Sequence, residues 1–161
     1  VTAIRGKIYQ ALDDVLTLFR RRFDHEPIVY GSLGVELLLN RDFDAHDIDI
    51  IVEDAVHAQA KAIDTMLREN GFETVGREYL AYRKNGVVVE ISKMSYWIET
   101  CSLAPDGLAR ASYGGRSYQV LSLDNQIRLY SYLARLPLRT AEKRQRDEIK
   151  LEALRQRLSS R

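Results

Sequence analysis

In the opening segment TAIRGKIYQALDDVLTLFRRRF, Ile4, Ile8, Leu12, Val15, Leu16 and Phe19 recur every three or four residues, the period of one helix face. The pattern predicts an amphipathic, core-covering helix that ends near the basic residues Arg20, Arg21 and Arg22. PIVYGS then reads as a short strand meeting Gly31 and Ser32, after which LGVELLLNR returns to helical composition. In HDIDIIVED the period changes to two, placing Asp47, Asp49 and Ile51 on one face of a strand and Ile48, Ile50 and Val52 on the other.

Val56, Ala60, Ile63 and Leu67 predict the next helix, with Asp54 as its N-cap and Asn70-Gly71 as its end. ETVGREYLAYRKNGVVVEIS predicts a hairpin, because Asn85-Gly86 suits a two-residue turn with both φ angles positive; that register sets Glu90 opposite Ala81. CSLAPDGLARASYGGR reads as a loop, with turns at Pro105-Asp106-Gly107 and Gly114-Gly115. SYQVLSL is a last strand, Ser122 caps a helix over LDNQIRLYSYLARL that Pro137 stops, and a final helix starts near Thr140 with Leu151, Leu154 and Leu158 inward. The expected fold class is α/β (α+β): a small mixed sheet flanked by helices, with a helical C-terminus.

With 161 residues, 45% of them hydrophobic, the chain suits one core and is short for two, so it reads as a single domain. The expected division is an α/β core to about residue 121 and C-terminal helices beyond it. A net charge of +1 excludes neither nucleic acid nor small ligands, although the last helix region holds eight Lys or Arg against four acids. Cys101 is the single cysteine, which removes an intrachain disulfide and any paired-cysteine zinc site. No apolar run reaches the roughly 18 residues of a membrane span, and no export signal is evident, so a cytoplasmic protein is expected.

Two carboxylates at i and i+2 on a strand project from one face about 6 to 7 Å apart, a separation that a divalent cation bridges. Their mutual repulsion is costly until Mg²⁺ or Mn²⁺ neutralises it. Such ions complete their shells with water and phosphate, and VYGSLGVELLL offers a phosphate cradle: Gly31 permits close backbone approach, Ser32 adds a hydroxyl, and the helix start presents free N–H groups. Glu90, an acid within the otherwise apolar VVVEIS, is the candidate third carboxylate.

Together these residues resemble the nucleotidyltransferase superfamily, the polymerase-beta-like fold, over roughly residues 28 to 92. GSLGVELL, HDIDI and EIKLEAL are most similar to the small lincosamide and minimal bacterial nucleotidyltransferases. The resemblance implies that Gly31 and Ser32 bind the phosphates of an NTP and that Asp47 and Asp49 hold two Mg²⁺ ions. Glu90 would bind metal on the acceptor side and act as general base, so that an acceptor hydroxyl attacks the α-phosphorus and pyrophosphate leaves. It implies a hydroxyl acceptor that is a small molecule such as an antibiotic, or alternatively a protein or RNA in a toxin-antitoxin setting. A non-catalytic nucleotide-binding module is a third reading, and a homodimer with a shared cleft stays open. Where related proteins carry a basic residue on the penultimate helix, this chain has Tyr130, with Arg128 and Arg135 as substitutes.

Each residue also has a plainer role. Ser32 serves as a helix N-cap, Glu90 stands on a wet hairpin face, and Asp42, Asp44, Glu53 and Asp54 are loop and cap residues that add negative potential. His46 tunes the pocket rather than ligating. Trp97 and the tyrosines near it either stack on a base or acceptor or pack against the C-terminal helices. Arg139, Lys143, Arg144 and Arg146 either reach the triphosphate or form a solvated helix start.

Overall fold

The computed structural model describes residues 3–76 and 79–161, with side chains from residue 5 onward. Ile4 of the expected stripe, and Arg77 and Glu78 of the expected hairpin, lie outside the described side chains. The first helix, α1 (Ala3–Phe23), leads into β1 (Ile28–Tyr30), α2 (Gly31–Leu39), β2 (Ile48–Val52), α3 (Asp54–His57) and α4 (Ala60–Glu69). Next come β3 (Glu73–Thr74), β4 (Leu80–Lys84), β5 (Val87–Lys93), α5 (Met94–Cys101), β6 (Leu108–Tyr113), β7 (Arg116–Leu121), α6 (Leu123–Leu133) and α7 (Ala141–Ser159). Among the described residues the strands form one sheet in the order β3-β4-β5-β2-β1-β7-β6. It is mixed: β2 runs parallel to β5 and β1 parallel to β7, while β1 and β2 are antiparallel.

Alternation along β2 sends its two sets of side chains into two cores. Ile48, Ile50 and Val52 join Leu12, Val15, Phe19, Ile63 and Leu67 beneath α1 and α4. Ile51 joins Ile28, Tyr30, Leu129, Leu151 and Leu154 beneath α6 and α7. Each large side chain so removed from water contributes about 1.5–3 kcal/mol. Asp49 therefore points toward the α6–α7 side. The Asn85-Gly86 turn has both φ angles positive, at 52° and 79°, and pairs Ala81 with Glu90.

Several elements differ from expectation. The helix over 54–69 is split after His57, and Asp54 does not cap it; its Oδ1 accepts from the Ser95 N–H at 3.1 Å, capping α5 instead. The local pattern could not reveal that the stronger demand for an acceptor comes from a helix elsewhere in the chain. Residues 94–101 form α5, closed by Ser102 at φ 56°. The expected loop contains β6, an edge strand that closes a hairpin with β7 through Gly114-Gly115, both at positive φ. Leu158 is 40% exposed, so the inward stripe of α7 stops at Leu154. Ser122 caps α6 as expected, accepting from the Asn125 amide, and Thr140, near which the last helix was expected to start, caps α7 by accepting from the Lys143 amide.

Candidate active site

Strand register creates a row of three side chains. Tyr30 pairs with Asp49 across β1 and β2, and Asp49 pairs with Glu90 across β2 and β5. Directly paired residues share a face, so these three project together toward α6 and α7. Asp47 stands just before the first residue of β2, outside the ladder that was expected to hold it. Asp47, Asp49, Glu90, Gly31 and Ser32 line one cavity of about 370 Å³, so these five reach the same space.

Gly31 opens α2 directly after β1, with φ +68°. A β-carbon there would collide with the Asp49 carboxylate. Glycine is thus required twice, by backbone conformation and by the approach of the carboxylate. The helix N-cap is Tyr30, whose side chain makes no capping bond. Ser32, expected as the cap, lies one residue inside the helix beside the Tyr130 hydroxyl. The first turn of α2 therefore has no side-chain cap and suits an anion.

The Asp49 carboxyl is pushed up from the usual range. Burial is the largest cause, followed by the charges of Glu90 and Asp47 and a carboxyl–carboxyl contact with Glu90, with Arg139 opposing. Burial, and then the charges of Asp49 and Asp147, also raise the Tyr130 phenol. Among the described residues no preformed three-ligand cluster of His, Cys, Asp or Glu is present. The donor set nonetheless fits a hard cation: oxygen atoms crowd at a glycine-lined opening, and their repulsion is the kind a divalent ion relieves.

The opposite wall is cationic. Arg139, Lys143, Arg146 and Lys150 line the cavity from α7 and the residue pair before it. Asp147, 1% exposed, accepts two bonds from Arg139, Nε–Oδ2 at 2.6 Å and Nη2–Oδ1 at 3.0 Å, a fork that fixes the guanidinium. Lys150 is 5% exposed, and its ammonium lies 5.5 Å from the centre of the Tyr130 ring. Burial lowers its pKa, against a raising effect from Asp147. Arg144 is not on this wall; its Nη2 donates to the Leu136 carbonyl at 3.0 Å. Arg128 and Arg135 bond to the Ser102 and Ser131 carbonyls instead of replacing the missing cation. Lys150, absent from the sequence reading, supplies the charge beside Tyr130.

Helical spacing explains that omission. Lys143, Arg146 and Lys150 recur at three or four residues and share one face, whereas Arg144 is rotated off it by about 100°. Grouping the basic residues by proximity in sequence missed the stripe. His46 stands at the cavity mouth, 3.3 Å from the Asp44 carboxylate. Trp97 packs on the α6–α7 core, the second of its two expected roles, and also lines the cavity, tilted against Tyr30 at 5.4 Å between ring centres.

A protein-family model described as aminoglycoside-2″-adenylyltransferase matches residues 11–154. The Bacillus subtilis (strain 168) protein YnaI, itself uncharacterised, is 23% identical over 150 residues, covering 92% of this chain and 96% of that one. The solution structure of the antibiotic-resistance factor ANT(2″)-Ia superposes with a TM-score of 0.63 at 15% identity, over 98% of this chain and 95% of that one. Lincomycin-bound LnuA, a lincosamide antibiotic adenylyltransferase, gives 0.62 at 18% identity, over 91% and 95%. At these identities the likeness to the two solved structures establishes a common fold.

Proposed function

The chain belongs to the aminoglycoside-2″-adenylyltransferase family, and from that premise we propose that it moves a nucleoside monophosphate from an NTP to a hydroxyl of a small-molecule acceptor. The observation that carries this reading is the Asp49–Glu90 pair, in register on adjacent strands beside a glycine that the Asp49 side chain crowds. A ligand that resembles those of the structural relatives, the lincomycin bound to LnuA or the adenylyl-2″-tobramycin complexed with ANT(2″)-Ia, is the acceptor class to try first. The cavity volume falls in the range of small-molecule sites.

In this reading the triphosphate lies between the first turn of α2 and the cationic face of α7. Gly31 and Ser32 hold phosphate oxygens through backbone N–H groups and a hydroxyl, while Lys143, Arg146 and Lys150 neutralise the pyrophosphate end. Arg139 has a different part, since Asp147 already occupies its fork; it offsets carboxylate charge across the cavity. Mg²⁺, expected as two ions held by Asp47, Asp49 and Glu90 when bound, would supply Lewis acidity to the reacting phosphate.

Glu90 takes the proton of the acceptor hydroxyl as its oxygen bonds to the α-phosphorus. The bond from that phosphorus to the bridging oxygen breaks, and its electron pair leaves with pyrophosphate. Tyr30, Trp97, Leu129 and Leu133 supply the apolar part of the lining, which limits water beside the reacting groups.

The macromolecular-acceptor reading needs a basic surface free to dock. Arg144 is engaged by a backbone carbonyl, and Arg146 bonds to Glu142 while facing the cavity, which favours the small-molecule reading. The test incubates the protein with each NTP, Mg²⁺ and an aminoglycoside and lincosamide panel, scoring pyrophosphate and the mass of the acceptor. A nucleotidylated product lost in Asp49→Asn is expected; full turnover in that variant overturns the assignment of the site.

A further inference from the structure

Of the three carboxylates, Asp47 is the one the sheet does not hold. It precedes β2, is exposed, and belongs to the connection between α2 and β2, which also brings Phe43, Asp44 and His46 to the cavity. Asn40 and Asp44 in this connection both adopt positive φ, at 51° and 58°. Something other than strand pairing must fix it.

We infer that Glu36 is a positioning residue for Asp47: its buried carboxylate anchors the α2–β2 connection and thereby sets where Asp47 meets a divalent cation. Glu36 is 3% exposed and projects from the same helix whose first turn forms the anion cradle. Its Oε1 accepts from the Phe43 N–H at 2.8 Å and the Ala45 N–H at 2.9 Å. Arg5, reaching over from α1, donates to both Glu36 oxygens, which balances the buried charge. The same guanidinium donates to Asp42 at 3.0 Å, and Asp42 accepts from the Asp44 N–H at 2.7 Å. One carboxylate thus ties two alternate amides of the connection to α2, and one arginine ties that carboxylate and the connection to α1.

A buried acid could be explained by stability, since leaving those amides without a partner would cost the fold. Its placement argues for more. The two bonded amides bracket Asp44, and Ala45, buried beneath them, is two residues from Asp47. The chain has few bonds left to rotate between the anchored amide and the metal-side carboxylate. Groups that orient a ligand without touching the ion matter to affinity because they remove its alternative positions in advance.

This role rests on the proposed metal-dependent transfer, and the test separates the two. Mn²⁺ alone is titrated into the purified protein, free ion being read by its paramagnetic resonance signal, for wild type, Glu36→Gln, Glu36→Met, Asp47→Asn and Glu36→Met/Asp47→Asn. Glu36→Met, which keeps length but accepts no hydrogen bond, is expected to weaken Mn²⁺ by about 10-fold or more, as loss of an orienting group does. Glu36→Gln keeps an oxygen for both amides and should restore most of the affinity, which a loss of bulk packing would not predict. In the Asp47→Asn background the Met substitution should have no further effect.

Wild-type affinity in Glu36→Met, or losses that multiply in the double variant, overturns the positioning role while leaving the transferase reading intact. A wild-type protein that takes up no Mn²⁺ overturns both. Hydrogen exchange on the unmodified protein provides a check that no folding defect can obscure. Slow exchange is expected at the Phe43 and Ala45 amides, and fast exchange at either overturns the anchor.

Discussion

The Asp49 carboxylate fills the space that a side chain on Gly31 would need, so the acid and the glycine that opens the proposed phosphate cradle are fitted to each other. A side chain at Gly31 would require Asp49 to move. The contact joins β2 to the first turn of α2.

Gly31→Ala tests that fit. The left-handed backbone costs a β-carbon about 1–2 kcal/mol, and displacement of Asp49 adds to it. The expected result is a loss of about 1–3 kcal/mol in urea unfolding, together with loss of Mn²⁺ binding. A variant with wild-type stability and wild-type metal uptake would show that the carboxylate is not held where the glycine leaves room.

The raised Asp49 carboxyl makes a prediction about pH. An acid whose folded pKa lies above its unfolded value favours the native state at low pH, and that contribution is lost as pH rises through the folded value. In EDTA, the Asp49 contribution to Tm should therefore decline between about pH 4 and pH 8. Mg²⁺ competes with the proton, so its stabilising effect should be larger at pH 8 than at pH 5. Asp49→Asn should flatten both dependences. Scanning calorimetry at the two pH values, with and without Mg²⁺, decides it; a Mg²⁺ shift equal at both would contradict the argument.

Much of this site was legible in the sequence because one alternation and one turn signal are unambiguous. The alternation in HDIDIIVED fixes which residues face together, and Asn85-Gly86 fixes the hairpin register that sets Glu90 against Ala81. The pairing of β2 with β5 is a tertiary choice, and no local pattern states it. Residues 94–101 were harder, since the aromatic and β-branched Tyr96, Trp97 and Ile98 are poor indicators of helix, and the stop is a serine rather than a glycine. The β6 strand was hidden by its edge position, where only weak burial marks the alternation. No local pattern marks Glu36, because its importance comes from amides seven and nine residues further on.

Lys150 and Arg144 offer a paired comparison on one helix. Lys150 faces the cavity with its ammonium over Tyr130, whereas Arg144 is turned to the Leu136 carbonyl. Lys150→Met is expected to weaken pyrophosphate binding about 10-fold, equivalent to roughly 1.4 kcal/mol. Arg144→Gln should change it by less than about 2-fold, a negligible free-energy difference on that scale. Calorimetric titration of pyrophosphate with Mg²⁺ measures both, and equal losses would return the basic residues to a diffuse surface role.

Asp54 provides the last test, because its expected and observed partners differ. Its carboxylate accepts from the Ser95 amide in the first turn of α5, and its pKa is held below the usual range first by the Ser95 side chain and then by that amide. A depressed acid stabilises the fold at pH values above its unfolded pKa and loses that effect as pH falls through the folded value. Asp54→Ala should therefore cost about 0.5–2 kcal/mol at pH 7, as removal of a helix cap does, and less near pH 3. Because α5 carries Trp97 to the cavity, the loss should also appear as a change in Trp97 fluorescence well below the unfolding transition. Trp97 is the single tryptophan of the chain, so the emission reports that helix directly. Emission identical to wild type, alongside the expected stability loss, would mean that the cap stabilises α5 without setting the position of the aromatic wall.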